Sequence, residues 1–384
     1  MMAPSQQVRK AVEERVSVTF VSSYGSMGGS EIYLERLLSE IDTSWVREVI
    51  LLGNGPLEGD LRTLGLTVAV VPTSGNPRSM LRSSWTLRQR LLASRPDVIH
   101  ANGLKAALVA APAAMATRLP ILWVRHDFAM EGWRARMLAR ACRCVICVSD
   151  ALARTFHGPQ LRKVRVVHTG VPEMDIERGD SRRRVLELIG DPHAEPVMSL
   201  VGRLVPDKGH AELIEITPRL LRRLPDARIL IIGDAPTERF ASYVGELRGR
   251  IEELGVGGTI TFVGHREDAL MLIAGSDMVV MPSVSSHPGV ETEGFPLLAL
   301  EALAVGTPVV AYRVGGIPEL LGDCGSLVHP MDTEGLLEAI ELVATDRALW
   351  ERISACGADR IRNQFSMADM VARLQDAYRE AART

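Results

Sequence analysis

Glu293 and Glu301 bracket the segment EGFPLLALE, and between residues 295 and 306 the only charge is Glu301 itself. Pro296 suits the first turn of a helix, and a helix apolar on every other side is expected to be buried. A carboxylate carried into such a setting needs donors, because an unpartnered buried charge costs several kcal/mol. The adjacent hydroxyls of a ribose would supply them, and so would an arginine from a neighbouring helix. Gly294 permits close approach, and the free amides around Phe295, Pro296, Leu297 and Leu298 suit a phosphate or a sugar.

A second constellation, Gly202-Arg203-Leu204-Val205-Pro206-Asp207-Lys208-Gly209, follows an apolar run and precedes an amphipathic one. An anion site belongs between a strand and a helix. An arginine fork and a lysine point charge together would neutralise a diphosphate leaving group, the main electrostatic demand in breaking a sugar–phosphate bond. Two solvated basic residues on a loop are the plainer reading. Lys208 stands out because only four of the 44 basic residues are lysines, an arginine bias that suggests a GC-rich coding sequence. Gly25-Ser26-Met27-Gly28-Gly29-Ser30 offers backbone amides to a ligand, or simply a tight turn, and it lacks the full G-x-G-x-x-G of a dinucleotide site. His126 ends the run ILWVRH, while His100, in DVIHANG beside Asn102, competes for the same role; a lone histidine is more often structural than catalytic.

The elements that must position these residues are short β-branched runs alternating with longer amphipathic stretches, the pattern of parallel sheets with helical crossovers. Strands are predicted at 16–21, 49–52, 68–71, 98–100, 121–126, 145–148 and 164–168, with helices at 30–40, 80–93 and 132–141. A second series places strands at 197–201, 228–232, 260–263, 278–281 and 308–311. Its helices fall at 209–223, 240–254, 296–305 and 336–344. The polar stretch MDIERGDSRRR between the series reads as a linker. The fold class is therefore α/β, two Rossmann-like doubly wound domains facing a cleft, with ligands beyond the carboxyl ends of the strands. Boundaries are predicted at 1–172 and 173–365, with a last helix over 366–384 returning to the first domain.

Composition excludes some functions. The 384 residues suit two cores, and 46% apolar with 24% charged residues is globular usage. A net charge of −3 gives no reason to expect nucleic acid. The first sixteen residues lack an apolar signal core, and the most apolar stretch, 106–124, is interrupted by Pro112, Arg118 and Pro120, so a cytoplasmic protein is expected. Five cysteines suggest no disulfide framework; Cys142, Cys144 and Cys147 in CRCVIC read as a buried strand more readily than as a metal site, with no fourth ligand at zinc spacing.

The glycine loop, DVIHANG, WVRHDF, VICVSDAL, VVHTGVP, LVGRLVPDKG, ILIIGD, ITFVGH and EGFPLLALEALAVGTPVVAYRVGGIPELL together resemble glycosyltransferase family 4, most specifically in the C-terminal half. The resemblance implies the two-domain GT-B fold and sugar transfer from a nucleotide diphosphate sugar with retention of configuration. It implies that Arg203 and Lys208 bind the diphosphate, Glu301 the ribose and Glu293 the donor sugar hydroxyls. The amides of 295–298 would complete the pocket, the base would lie near Val263 and Arg266, and Gly28 and Gly29 would line the diphosphate from the other domain. His126 falls where such enzymes place an active-site histidine. No cofactor and no metal are expected, and with no carboxylate placed as nucleophile, front-face attack is implied, unlike the paired carboxylates of glycosidases. The insertion SVSSHPGVET before Glu293 departs from the compact form and lets Glu291 compete with it.

The acceptor is not specified by these motifs. A natural product, a saccharide or a lipid-linked precursor would each serve, with His100 and Asn102 as acceptor-side candidates. The basic helix over 80–93, with Trp85 and several leucines, suits contact with anionic lipid at the inner face of a membrane, or is an ordinary surface helix. Epimerisation of the donor, a non-glycosidic transfer, and silent nucleotide-sugar binding are the alternative functions.

Overall fold

The computed structural model of the chain describes residues 16–285 and 291–383. The chain divides into two compact units, residues Met1–Gly170 with Met367–Thr384, and residues Val171–Ser366. The first break therefore falls two residues before the predicted boundary and the second one residue after it.

The first unit is a seven-stranded parallel sheet formed by β1 (Val18–Ser22), β2 (Val46–Leu51), β3 (Val68–Val70), β4 (Val98–Asn102), β5 (Ile121–Arg125), β6 (Cys144–Cys147) and β7 (Val164–Val166). Its order is β3-β2-β1-β4-β5-β6-β7, so the winding reverses between β1 and β4. Ser22 stands opposite Asn102 in that pair. β1, β4, β5 and β6 are buried along their whole length, as expected where helices cover both faces of a parallel sheet. The helix Met367–Ala382 belongs to this unit although the second unit's chain comes before it.

The second unit is a six-stranded parallel sheet of β8 (Val197–Val201), β9 (Arg228–Ile232), β10 (Ile260–Gly264), β11 (Met278–Met281), β12 (Val309–Tyr312) and β13 (Ser326–Val328). The order β10-β9-β8-β11-β12-β13 places its reversal between β8 and β11. The core between its sheet and helices is aliphatic, from Met198 and Leu213 to Ile340 and Ile353.

Several expectations are corrected. MDIERGDSRRR is mostly helix, Arg178–Ile189, because Arg178 and Arg182 both grip Asp277 at 2.9 Å and so anchor a segment poor in apolar residues. The helix Leu104–Thr117 runs through Pro112, so the apolar stretch 106–124 is interrupted at Arg118 and not at Pro112. Cys324 and Cys356 form a disulfide, with Cα atoms 5.2 Å apart, so the odd count concealed one bonded pair. Cys142, Cys144 and Cys147 are free and buried, and burial pushes their thiols up to about 12, 11 and 12. Among the described residues, no helix is long and apolar enough to cross a membrane.

Candidate active site

In the second unit, the loops after β8 and β11 meet at the reversal because glycines let them. A Cβ on Gly209 would overlap the Pro282 carbonyl, one on Gly233 the Gly202 carbonyl, and one on Gly315 the Glu293 carbonyl. Gly209 and Gly315 also hold φ of +72° and +53°, a region that glycine enters without strain. The consequence is that Lys208 and Glu293 converge. Lys208 Nζ donates to Glu293 Oε1 at 2.6 Å, and Ser283 Oγ donates to the same oxygen at 2.8 Å. Burial alone would push the Glu293 carboxyl up. The Lys208 charge and hydrogen bond, then Ser283 and the charge of Arg203, hold it below its ordinary value instead. Glu293 is therefore a fixed anion with 6% exposure, while Arg203 is exposed.

The competing carboxylate has a different place. Glu291 is exposed and its Oε2 accepts from the Gly315 amide at 2.6 Å, so it braces the loop that crosses Glu293. Residues 286–290 of the insertion lie outside the described residues. Phe295 is buried, its ring tilted over Phe365 at 5.4 Å, and Pro296 caps the helix Leu297–Ala304. That helix is not buried all round: Leu297, Leu298, Glu301 and Ala304 form a half-buried face. Glu301 thus stands one turn along from Leu297, at partial rather than full burial. Apolar composition alone misjudged this, because the helix packs on one side only.

Val263 ends half-buried in β10. Beside it, Asp234 joins the ends of three strands: its carbonyl accepts from the Leu204 amide at 2.9 Å and its carboxylate from the His265 amide at 2.9 Å. Arg266 is held in a two-pronged bond by Asp268, at 2.7 and 2.6 Å.

In the first unit, the loop after β1 and the end of β4 flank the reversal. Gly28 is the extended N-cap of the helix Gly29–Glu40, and its carbonyl accepts from the Ile32 amide at 2.9 Å. Ser23 Oγ donates to the Asn102 carbonyl at 2.8 Å and accepts from the Ala106 amide at 3.1 Å. Asn102 Nδ2 donates to the Ser30 carbonyl at 2.8 Å, which leaves Oδ1 as the acceptor for His126 Nε2 at 2.7 Å. The pairing assigns the proton of His126 to Nε2 and leaves Nδ1 as its lone pair. Burial pushes the ring down to about 3, so it is neutral, with Tyr33 set edge-on at 4.7 Å. Asn102 and His126 are brought together.

His100 is not part of this edge. β4 runs two residues further than predicted, which places His100 mid-strand, fully buried, with Nδ1 2.7 Å from the Tyr378 hydroxyl on the Met367–Ala382 helix. Its role is packing.

Three further residues shape these loops although the sequence did not single them out. Ser283 fixes Glu293. Arg125, 2% exposed, bonds the carbonyls of Asp127 at 3.1 Å and Met130 at 2.9 Å and touches Thr155, so it shapes the loop after His126. Glu31, 2% exposed, accepts from Ser30 Oγ at 2.8 Å, and burial pushes its carboxyl up. A charge ending the apolar run ILWV signals Arg125, whereas Glu31, in the first turn of an amphipathic helix, carries no such signal.

Two parallel-sheet units with reversals at β1/β4 and β8/β11 define the GT-B class. Anabaena HepE, solved with UDP and glucose, has this fold with a TM-score of 0.81 at 24% identity, covering 94% of this chain and 99% of its own. Sucrose-phosphate synthase from Thermosynechococcus elongatus also has it, with a TM-score of 0.75 at 19% identity, over 95% and 99%. "Glycosyltransferase Family 4" matches residues 27–173 and "Glycosyl transferases group 1" matches residues 195–346, one family to each unit. The chain belongs to the family 4-like glycosyltransferases. D-inositol 3-phosphate glycosyltransferase of Mycobacterium tuberculosis is 33% identical over 256 residues, 64% of this chain and 50% of the relative. The chain thus spans about half the length of the curated relatives it matches.

Proposed function

We propose that the chain transfers a sugar from a nucleotide diphosphate sugar to an acceptor hydroxyl with retention of configuration. A UDP-sugar is the favoured donor and a GDP-sugar the alternative, and no metal or cofactor takes part. The observation that carries this reading is the Lys208–Glu293–Ser283 cluster beneath the exposed Arg203, at the strand reversal of the second unit. An ammonium has three donors and Glu293 takes one, leaving Lys208 hydrogens for the departing phosphate beside the Arg203 fork. Glu293, kept anionic, accepts from sugar hydroxyls. Glu301 takes the ribose, the amides of 295–298 the phosphate or sugar, and the surface around Val263 and Arg266 the base. Gly28 and Gly29 line the diphosphate, and neutral His126, its tautomer set by Asn102, faces the transferred sugar. The departing phosphate takes the acceptor proton in a front-face attack.

HepE complexes with UDP and with UDP-glucose support the choice of donor. The acceptor is a saccharide, a natural product or a lipid-linked precursor. The test is a panel of UDP- and GDP-sugars with pooled acceptors, read by mass spectrometry. Release of free nucleotide with a new glycoside supports transfer, and an α-linked donor should give an α-linked product by NMR. Nucleotide binding without turnover across the panel would make the chain a binding protein, and an isomerised donor would make it an epimerase.

A further inference from the structure

Three helices of the first unit lie side by side: Pro77–Ser94 packs on Leu104–Thr117, which packs on Gly132–Ala141. None carries a single aspartate or glutamate. The helices elsewhere in the same unit do: Gly29–Glu40 holds Glu31, Glu35 and Glu40, Leu57–Thr63 holds Glu58 and Asp60, and Met367–Ala382 holds Asp369, Asp376 and Glu380. The acid-free helices and their ends instead expose Arg78, Arg82, Arg118, Arg134 and Arg140 against one capping acid, Glu131 at the start of the third helix, and none of these arginines forms an ion pair among the described residues.

Between the cations stand large apolar side chains that the core does not claim. Leu81 is 66% exposed, Trp85 62%, Met115 68%, Trp133 65% and Met137 55%. Arg78, Leu81, Arg82 and Trp85 repeat at three- and four-residue spacing along the exposed side of the first helix, with Leu92 two turns further on. Leu108, Pro112, Met115 and Met137 line a shallow open apolar depression between the next two helices. Scattered exposed apolar residues are ordinary, but a contiguous patch marks an interaction site.

We infer that this three-helix face docks on an anionic lipid bilayer, with Trp85, Trp133 and the exposed leucine and methionine side chains entering the headgroup boundary and the arginines meeting lipid phosphates. Charge complementarity selects the occupant. A face whose helices carry arginines and no acid, with Glu131 alone at one helix end, fits a surface of one negative sign, and tryptophan beside arginine is the composition of interfacial helices. The inference deepens the proposed function by favouring a lipid-linked acceptor, which such docking would bring to the protein.

The full chain is sedimented with phosphatidylcholine vesicles, with and without phosphatidylglycerol. It is expected to partition into the anionic vesicles at least roughly tenfold more strongly, to be released by high salt, and to show a blue-shifted tryptophan emission when bound. The double variant R82E/R134E should lower anionic binding by more than roughly tenfold, and Trp85→Ser should lower it with less effect on the salt dependence. Unchanged thermal unfolding and UDP-sugar binding in the variants separate lost docking from lost folding or a failed donor site. No partition, equal partition into neutral vesicles, variants that bind as the parent does, or self-association through the face without vesicle binding would each overturn the inference.

Discussion

At the scale of single residues, the Lys208–Glu293 pair has the sharpest consequence. Glu293 is buried and kept ionised chiefly against the pull of burial by Lys208. Lys208→Ala removes that cation from both the carboxylate and the leaving group, so kcat/KM for sugar transfer should fall about a hundredfold or more, as for other lost transition-state donors. Glu293→Gln tests the partner without leaving a buried charge. Wild-type turnover in Lys208→Ala would take the lysine out of the diphosphate site. A separate prediction concerns His100. Burial first, then the neighbouring His126, pushes it down to about 3, against about 6.5 in an unfolded chain. The unfolded chain therefore binds more protons between those values, and stability falls as pH drops through that window. The loss amounts to about 2 kcal/mol at pH 5 from this residue alone. Replacing it in His100→Gln should flatten the pH dependence of unfolding by that amount; an unchanged slope would refute the assignment. His126 stays neutral for the same reason, so the pH–rate profile should show no limb near 6.5 from it.

At the scale of elements, glycine placement decides whether the site forms. Gly315 crosses the Glu293 backbone so closely that a Cβ would overlap its carbonyl, and its φ of +53° strains any other residue. Gly315→Ala is expected to destabilise the second unit by about 1–3 kcal/mol and to weaken donor binding, whereas Gly245→Ala, with open space at its Cβ, should do neither. Equal behaviour of the two variants in thermal unfolding and nucleotide titration would show that the crossing is not what aligns Glu293. Such crossings were not legible in the sequence, where Gly315 is one of 33 glycines. Periodicity showed what is local. β8, β9 and β11 lie where the apolar runs predicted them, and the helix Gly132–Ala141 also matches its predicted span. What periodicity missed depends on tertiary partners. β13 is only three residues long. The helix Arg178–Ile189 hides its anchoring in Asp277, ninety-nine residues from Arg178. His100 was misplaced because a strand's last turn outward is set by its neighbours, here by the pairing of Ser22 with Asn102.

At the scale of the whole molecule, chain order and structural unit part company at the C-terminus. The helix Met367–Ala382 buries Met367, Met370, Leu374 and Tyr378 in a unit whose other described residues end at 170. Tyr378 meets Phe20 edge-on at 6.2 Å, lies 6.4 Å from Trp45, and holds His100 at 2.7 Å. Gly170 donates its amide to the Met370 sulfur at 3.2 Å. Four large apolar side chains at about 1.5–3 kcal/mol each represent about 6–12 kcal/mol, comparable with the whole stability of an ordinary domain. The second unit has its own aliphatic core and the Cys324–Cys356 disulfide, and owes none of these contacts to the last helix. Ending the chain after Ser366 should therefore unfold the first unit selectively. Hydrogen exchange read by mass spectrometry is expected to show fast exchange throughout β1–β7 in the truncated chain while β8–β13 keep their protection. Tyr378→Phe, which strands His100 Nδ1 without a partner, should produce a milder loss of about 1–3 kcal/mol confined to the first unit. Equal protection of both sheets after truncation would show that the first unit holds together without the returning helix, and equal loss in both would show that its contribution is not confined to the sheet it covers.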